Sequence, residues 1–325
     1  MALYALVTPV YEDQASFAEL CRRLAELERE RGAEVRFHVI AVDDGSLSAP
    51  PELAALAQAG LAGEILRLAR NVGHQGAIAI GLARAASMSG LGGCVVMDCD
   101  GEDRPEEIPN LLDAVASRDI DVAAAERARR SESAAFRFFY AIYRRLFKIL
   151  TGQTLHFGNF MALSPTAVQR LSGMYETATH VAGAVVKAKL RRADVPIDRG
   201  ARFAGESKMN FASLVLHGMR AVMVFADLVL TRMALAMVAL AALVVVAVLG
   251  ALIAKFMGAA TPGWVTIVTG FALSIFLQTG LFTMITLIVS SLGRVDTPPR
   301  VRERALEFVA QIDRTEAPVR ALAAH

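Results

Sequence analysis

Gly93-Cys94-Val95-Val96-Met97-Asp98-Cys99-Asp100 is an apolar run that ends in two acids separated by one residue. Such a run suits a strand buried on both faces, and alternate residues of an extended chain point the same way. Asp98 and Asp100 can therefore reach one divalent cation, and their hard oxygen donors suit Mg²⁺ or Mn²⁺ bridging phosphates. Because the chain later carries two apolar segments of membrane length, the combination suggests nucleotide-sugar chemistry beside a bilayer.

Upstream of this run, strand-like and helix-like stretches alternate: 3–7, 16–31, 35–42, 52–58, 64–68 and 75–88, followed by 94–97, 105–116 and 121–124. The alternation predicts an α/β domain with a mostly parallel sheet, whose ligands gather at the carboxyl ends of the strands. Polar residues stand at those ends. Thr8-Pro9-Val10-Tyr11-Glu12 follows the first strand, Asp43-Asp44-Gly45-Ser46 the second and Arg70-Asn71-Val72-Gly73-His74 the third. Asp43 and Asp44 can accept hydrogen bonds from a base or ribose, and Gly45-Ser46 permits a tight turn. Arg70 brings a cation for phosphate or nucleotide, while His74 reads equally as the first residue of a helix. Glu102 or Asp103 would complete the metal shell or cap the helix that begins at Pro105.

At 325 residues there is room for one α/β domain of roughly 200 residues and a membrane appendix. A formal charge of +2, from 34 basic and 32 acidic residues, argues against a nucleic-acid binder. The three cysteines, Cys21, Cys94 and Cys99, form neither a metal-ligand pattern nor an even disulfide set and fit a reduced compartment. Met1 leads directly into a strand-like segment without the features of a signal peptide. The catalytic domain is thus expected in the cytoplasm.

Residues 233–254 are 22 uncharged positions, enough to span a hydrocarbon core of roughly 30 Å, and 264–292 are another 29. Together they predict a transmembrane hairpin turning at Thr261-Pro262-Gly263. Arg220 and Arg232 precede it and Arg294, Arg300, Arg302 and Arg304 follow it, against Lys255 in the connection. The positive-inside rule then places both termini in the cytoplasm. The predicted organisation is a catalytic domain over 1–208, a juxtamembrane amphipathic segment over 209–232, two spans within 233–293 and a cytoplasmic tail over 294–325. Residues 302–312 have charged and apolar positions at helical spacing. The basic, aromatic stretch 125–150 predicts an amphipathic helix docked on the domain or the membrane surface, or touching the acceptor. In Arg199-x-x-Arg202-x-x-Gly205-Glu206-Ser207-Lys208 the cations and hydroxyl suit phosphate binding or a positive-inside anchor.

In this order, Pro9-Val10-Tyr11-Glu12, Asp43-Asp44-Gly45-Ser46, Arg70 to Gln75, Asp98 to Glu106 and Arg202 to Lys208 resemble the family-2, inverting GT-A glycosyltransferases. Within them the chain is similar to the polyprenyl-phosphate glycosyltransferases related to dolichyl-phosphate mannose synthase and the bacterial GtrB-type enzymes, over roughly 3–295. The resemblance implies a nucleotide-diphospho-sugar donor, Mg²⁺ or Mn²⁺, and an isoprenoid-phosphate acceptor such as undecaprenyl phosphate. It implies that Pro9, Tyr11, Glu12 and Asp44 hold the nucleotide and that Asp98 and Asp100 engage metal and diphosphate. Glu102 stands where relatives commonly carry Gln near the metal, and Arg127, Arg202, Ser207 and Lys208 match positions facing donor or acceptor phosphates.

Two departures stand out. Cys99 replaces the usual Ala between the acids. His156-Phe157-Gly158-Asn159-Phe160 stands where relatives tend to read Asp-x-Gly-Asp-Phe, so both acidic positions are lost. A phosphate acceptor is largely dianionic near neutral pH, so His156 is expected to orient acceptor or sugar and not to act as an obligatory base. The rival readings are transfer to another membrane lipid such as diacylglycerol and a catalytically silent, membrane-anchored nucleotide-binding scaffold. Processive synthesis is disfavoured by the missing Gln-x-x-Arg-Trp motif, and a Rossmann dehydrogenase by the missing G-x-G-x-x-G. Homo-oligomerisation is left open.

Overall fold

Strand β1 (Ala2–Val10) sends Ala5 and Val7 into one core and Leu6 and Val10 into another, and all four are buried. Strands β2 (Val35–Asp43), β3 (Ala62–Leu68) and β4 (Leu91–Val96) repeat this alternation, with Ile40, Leu66 and Val96 on the first side and Val39, Ile65 and Val95 on the second. A sheet apolar on both faces needs helices on both. Helices α1 (Gln14–Arg31) and α2 (Leu53–Ala59) cover the second side, α3 (His74–Ala86) the first, and α4 (Ile108–Arg118) the second again. The computed structural model describes residues 2–32, 35–127, 134–204, 211–258, 263–292 and 301–315.

Strands β5 (Val122–Arg127), β6 (Met161–Leu163), β7 (Arg192–Ile197) and β8 (Val309–Thr315) complete an eight-stranded sheet in the order β7-β5-β6-β4-β1-β2-β3-β8. β1 to β4 run parallel, so their carboxyl ends share one edge, whereas β6 and β8 are antiparallel to their neighbours. Between β5 and β7 the chain also forms α5 (Ala134–Thr151), α6 (Pro165–Ser172), α7 (Glu176–Thr179) and α8 (Val181–Lys187). The basic, aromatic stretch expected as a helix from residue 125 thus begins as strand through Arg127 and is helical over Ala134–Thr151.

After β7 come α9 (Phe211–Met223), α10 (Ala226–Phe256), α11 (Trp264–Leu292) and α12 (Val301–Leu306). The described chain divides into two compact units, one with the sheet, drawn from Met1–Arg144, Gln153–Val224 and Pro299–His325, and one drawn from Arg145–Gly152 and Phe225–Pro298. Within the first, His217 of α9 meets His180 with their Nε2 atoms 3.1 Å apart, and Tyr143 donates to the Gly218 carbonyl at 3.1 Å. Burial and the neighbouring His217 push the His180 ring down to about 3, so the pair is neutral. Within the second, α10 packs against α11, and both expose large apolar side chains such as Leu235, Val246, Phe271 and Phe282. The 31 residues of α10, whose most apolar 18-residue stretch has mean hydropathy 2.9, and Trp264–Ile285 of α11, whose corresponding stretch has 1.8, are long and apolar enough to cross a bilayer. α10 begins seven residues ahead of the expected start at 233 and takes Asp227 and Arg232 into its first turns.

The tail departs most from its sequence pattern. In place of a helix over 302–312, the helix stops at Leu306 and Val309–Thr315 pairs antiparallel with β3, from Gly63 opposite Thr315 to Leu68 opposite Val309. The cause is non-local. An unpaired β3 would leave a row of backbone donors and acceptors open, and this segment supplies matching charges as well as a ladder. Arg67 donates to Asp313 at 2.7 Å, Arg314 pairs with Glu64 at 3.1 Å, and the Gly63 N–H donates to the Thr315 hydroxyl at 3.0 Å. The sheet expected to close within 1–208 therefore takes its last strand from beyond the apolar helices.

Candidate active site

The loops after β1, β2 and β3 are tied together by carboxylates that accept backbone N–H groups. Glu12, in the left-handed region at φ 50°, accepts from Leu47 at 2.7 Å, Ser48 at 2.9 Å and Ala49 at 2.6 Å, and its own N–H donates to the Ser46 hydroxyl. Asp43 accepts from the Ser46 N–H at 2.9 Å and pairs with Arg67 at 3.1 Å. Asp44 accepts from Val72 at 2.7 Å and Gly73 at 3.0 Å. Burial pushes the Asp44 carboxyl above its usual range, while those two N–H groups oppose the shift. Gly45 (φ 76°) has no room for a side chain, since a Cβ would stand 2.9 Å from the Asn71 nitrogen. Pro9, Val10, Tyr11, Asp44, Asn71, Gly73 and His74 line the resulting open cleft of about 180 Å³. Tyr11 is half exposed there. Arg70 lies over the Phe308 ring at 5.2 Å, a contact supplied by the chain just before β8.

The acids beyond β4 are neutralised differently. Asp98 accepts from His74 Nε2 at 2.8 Å. Asp100 accepts the Glu102 N–H at 3.0 Å through one oxygen and pairs with Arg202 at 2.9 Å through the other. Glu102 pairs with Arg202 at 3.1 Å and also with Arg199. Burial disfavours the charged form of Glu102, but the two arginines outweigh it and hold the carboxyl below its usual range. Asp100 is shifted upward by burial, with Asp98 adding repulsion. For His74, burial opposes protonation, yet attraction to Asp98, then Asp103 and Asp100, raises its affinity for a proton. Cys99 contributes no ligand, because burial and the surrounding Asp13, Asp98 and Asp100 keep its thiol protonated.

The segment carrying Arg199 and Arg202 is fixed to this loop by backbone bonds, the Gly200 N–H to the Glu102 carbonyl at 2.9 Å and the Phe203 N–H to the Asp100 carbonyl at 2.8 Å. Gly101 (φ 90°) lies under Phe203, whose ring a Cβ would enter at 2.5 Å, and Arg23 covers that ring at 4.5 Å.

Glu102 is engaged by two arginines, and no group of three His, Cys, Asp or Glu arranged for a metal is found among the described residues. Neither Glu102 nor Asp103 caps the helix at Pro105, since Asp103 accepts the Asp98 N–H at 2.9 Å and the capping position is Arg104, without a side-chain bond. Arg127 ends β5 opposite Ile197. Ser207 and Lys208 lie outside the described residues. His156 is half-buried in the loop before β6. Asn159 accepts from Gln75 at 3.3 Å, a role the sequence reading missed, as it missed the pairing of His74 with Asp98. The available signal was that His74 and Gln75 open the helix crossing from β3 to β4.

A mixed sheet with parallel strands β3-β2-β1-β4, a cleft at their carboxyl ends and an Asp-x-Asp turn is the architecture of a GT-A nucleotide-sugar-binding domain. The chain belongs to glycosyl transferase family 2, whose family model matches residues 5–174. It is 35% identical over 156 residues to an undecaprenyl-phosphate 4-deoxy-4-formamido-L-arabinose transferase of Pseudomonas aeruginosa, covering 47% of this chain and 44% of that protein. The counterpart from Pseudomonas paraeruginosa is 34% identical over the same shares. The match thus spans less than half the length of these relatives. Among solved structures, glucosyl-3-phosphoglycerate synthase from Mycobacterium tuberculosis, in complex with Mn²⁺, UDP-glucose and phosphoglyceric acid, aligns with TM-score 0.47 and 17% identity over 71% of this chain and 79% of its own. Mannosyl-3-phosphoglycerate synthase from Rubrobacter xylanophilus aligns with TM-score 0.46 and 14% identity over 70% and 73%.

Proposed function

We propose that this protein transfers a sugar from a nucleotide-diphosphate donor to a polyprenyl phosphate such as undecaprenyl phosphate, with inversion at the anomeric carbon, at the cytoplasmic face of the bacterial inner membrane. The observation that carries the reading is the concentration of Asp98, Asp100, Arg199 and Arg202 at the strand-end edge that also holds the open cleft. The choice of acceptor draws on the names of the Pseudomonas relatives and on the two apolar helices.

Asp98 and Asp100 fit a Mg²⁺ or Mn²⁺ that takes two protein carboxylates and completes its shell with donor phosphates and water, as these ions commonly do. Bound there, the ion would offset charge on the departing nucleoside diphosphate. Arg202 is shared between Asp100 and Glu102. Its guanidinium can turn from a carboxylate to a phosphate oxygen, because both present the same paired acceptors. Glu102 then keeps Arg199 and Arg202 at the site. Tyr11 offers an exposed ring to a base, and the loops set by Glu12, Asp43 and Asp44 shape the cleft. A dianionic acceptor phosphate needs no base to remove a proton, so His156 would orient acceptor or sugar. Ser207 and Lys208 are proposed to meet phosphate as well.

The topology reading is supported by connectivity, because β7 precedes α10 and β8 follows α11 in one sheet. Two crossings return the chain to the side it left, and the flanking arginines favour the cytoplasm. The test is to incubate the full chain, in detergent or nanodiscs, with UDP- and GDP-sugars and undecaprenyl phosphate and to identify the lipid by mass spectrometry. A glycosyl-phospho-polyprenol that requires Mg²⁺ or Mn²⁺ and disappears with Asp100→Asn is expected. Transfer to diacylglycerol alone, or full activity in excess chelator, would overturn the reading.

A further inference from the structure

The helix that begins at His74 carries a chain of hydrogen bonds that ends on Asp98. Gln75 is buried at 3% exposure, and its Oε1 accepts the Val181 N–H at 2.6 Å. A backbone N–H can only donate, so this bond fixes which end of the amide is which. The Gln75 Nε2 then faces two atoms, His74 Nδ1 at 3.2 Å and Asn159 Oδ1 at 3.3 Å. An amide nitrogen has two hydrogens and no lone pair to offer. His74 Nδ1 must therefore accept, its ring carries the proton on Nε2, and Nε2 donates to Asp98 Oδ1 at 2.8 Å.

We propose that His74 is a positioning residue for Asp98, held in one tautomer by Gln75 with Asn159 as the second acceptor for the same amide. The inference rests on the reading of Asp98 as a carboxylate that binds the divalent cation. It goes beyond that reading by assigning the neighbours that aim it. The 2.8 Å bond from His74 holds Oδ1 of Asp98 and so sets the direction of the carboxylate. The Asp98 N–H is held separately by Asp103 at 2.9 Å, so both the main chain and the side chain of Asp98 are fixed. The Asn at position 159 is accounted for in the same way, because only an acceptor oxygen is needed there. Hydrogen-bonded neighbours of metal ligands commonly change metal affinity about 10–100-fold when removed.

The experiment uses the full chain and Mn²⁺ alone, followed by electron paramagnetic resonance, together with donor KM and kcat at saturating and limiting Mn²⁺. His74→Ala is expected to weaken Mn²⁺ binding about tenfold or more and to raise the Mn²⁺ needed for half-maximal turnover by the same factor. His74→Gln, whose amide nitrogen reaches the position of Nε2, should recover most of the affinity. Gln75→Leu should weaken binding in the same direction, and the double variant His74→Ala/Gln75→Leu should fall short of the product of the two single losses, because both changes break one chain. Melting temperatures of His74→Ala and His74→Gln are expected to match, which separates positioning from folding. Unchanged Mn²⁺ affinity in His74→Ala, with Asp98→Asn binding poorly, would overturn the positioning role and leave the cation reading intact. Wild-type Mn²⁺ affinity in Asp98→Asn would overturn the cation reading and this inference with it. Equal losses in His74→Ala and His74→Gln would overturn the donor role assigned to Nε2.

Discussion

The acids after β1 and β2 and the acids after β4 stand along one edge of one sheet, yet they are satisfied by different partners. Glu12 and Asp44 accept backbone N–H groups from Leu47, Ser48, Ala49, Val72 and Gly73. Asp98, Asp100 and Glu102 meet the side chains of His74, Arg202 and Arg199. A backbone donor cannot be withdrawn without undoing the loop it belongs to, whereas a guanidinium can rotate to another anion at small cost. The first group therefore builds the cleft, and the second is the one whose partners a diphosphate and its cation can replace. Sequence alone gives both groups the same appearance of acids at strand ends.

The strongest way to break this comparison is Asp100→Asn. Its turnover should fall about 10²–10³-fold or more, the scale of removing one preorganised electrostatic group, while thermal unfolding stays near that of the parent. A variant that unfolds early, or one that retains near-parent transfer of labelled sugar to lipid, would place Asp100 in the framework group. Asp44→Ala should show the opposite signature. It leaves the Val72 N–H without its acceptor, while the Gly73 N–H keeps Asn71 Oδ1 at 3.1 Å, at a cost of about 1–3 kcal/mol by chemical denaturation. Any loss of turnover should then follow the loss of folded protein and donor affinity. Full stability with abolished chemistry would count against the framework role.

A third acid sharpens the comparison away from the site. Burial alone would push Glu64 up, but His38 at 3.8 Å and Arg84 at 2.6 Å outweigh it and bring the carboxyl down to about 2. A depressed value stabilises the fold above the unfolded pKa of about 4.3 and is lost as pH falls through about 2. Stability between those values should therefore fall less steeply with acid in Glu64→Gln than in the parent, measured by urea unfolding at several pH values. An unchanged slope would assign the acid sensitivity elsewhere. The smallest effect is expected from Phe308→Ala, which removes the ring under Arg70. Loss of an exposed cation–π contact, about 0.5–1 kcal/mol, should raise donor KM about two- to fivefold with kcat unchanged. A change confined to kcat would show that the tail acts on the chemical step and not on the cleft.

The parallel strands were legible because burial on both faces leaves continuous apolar runs, and their polar ends mark an edge where ligands collect. Both apolar helices were legible for the same reason, since length and absence of charge are local properties. Position 159 was legible only as a departure from its relatives, because its partner Gln75 lies on a different element. Glu102 was read as completing the metal shell or capping the helix at Pro105, and nothing near it in sequence announces its partners Arg199 and Arg202, almost a hundred residues on.

What the sequence by itself determined was the identity and chain order of the first five strands, the acids at their ends and the two helices fit for a membrane. These follow from hydrophobic pattern and turn chemistry within a few residues. Only the tertiary structure decided that Val309–Thr315 is a strand, that Glu102 belongs to two arginines and that His74 stands between Gln75 and Asp98. Each of these depends on a donor or acceptor row brought close by the fold of distant segments. Local periodicity could make 302–312 helical, but only an open edge of β3 could make its second half a strand.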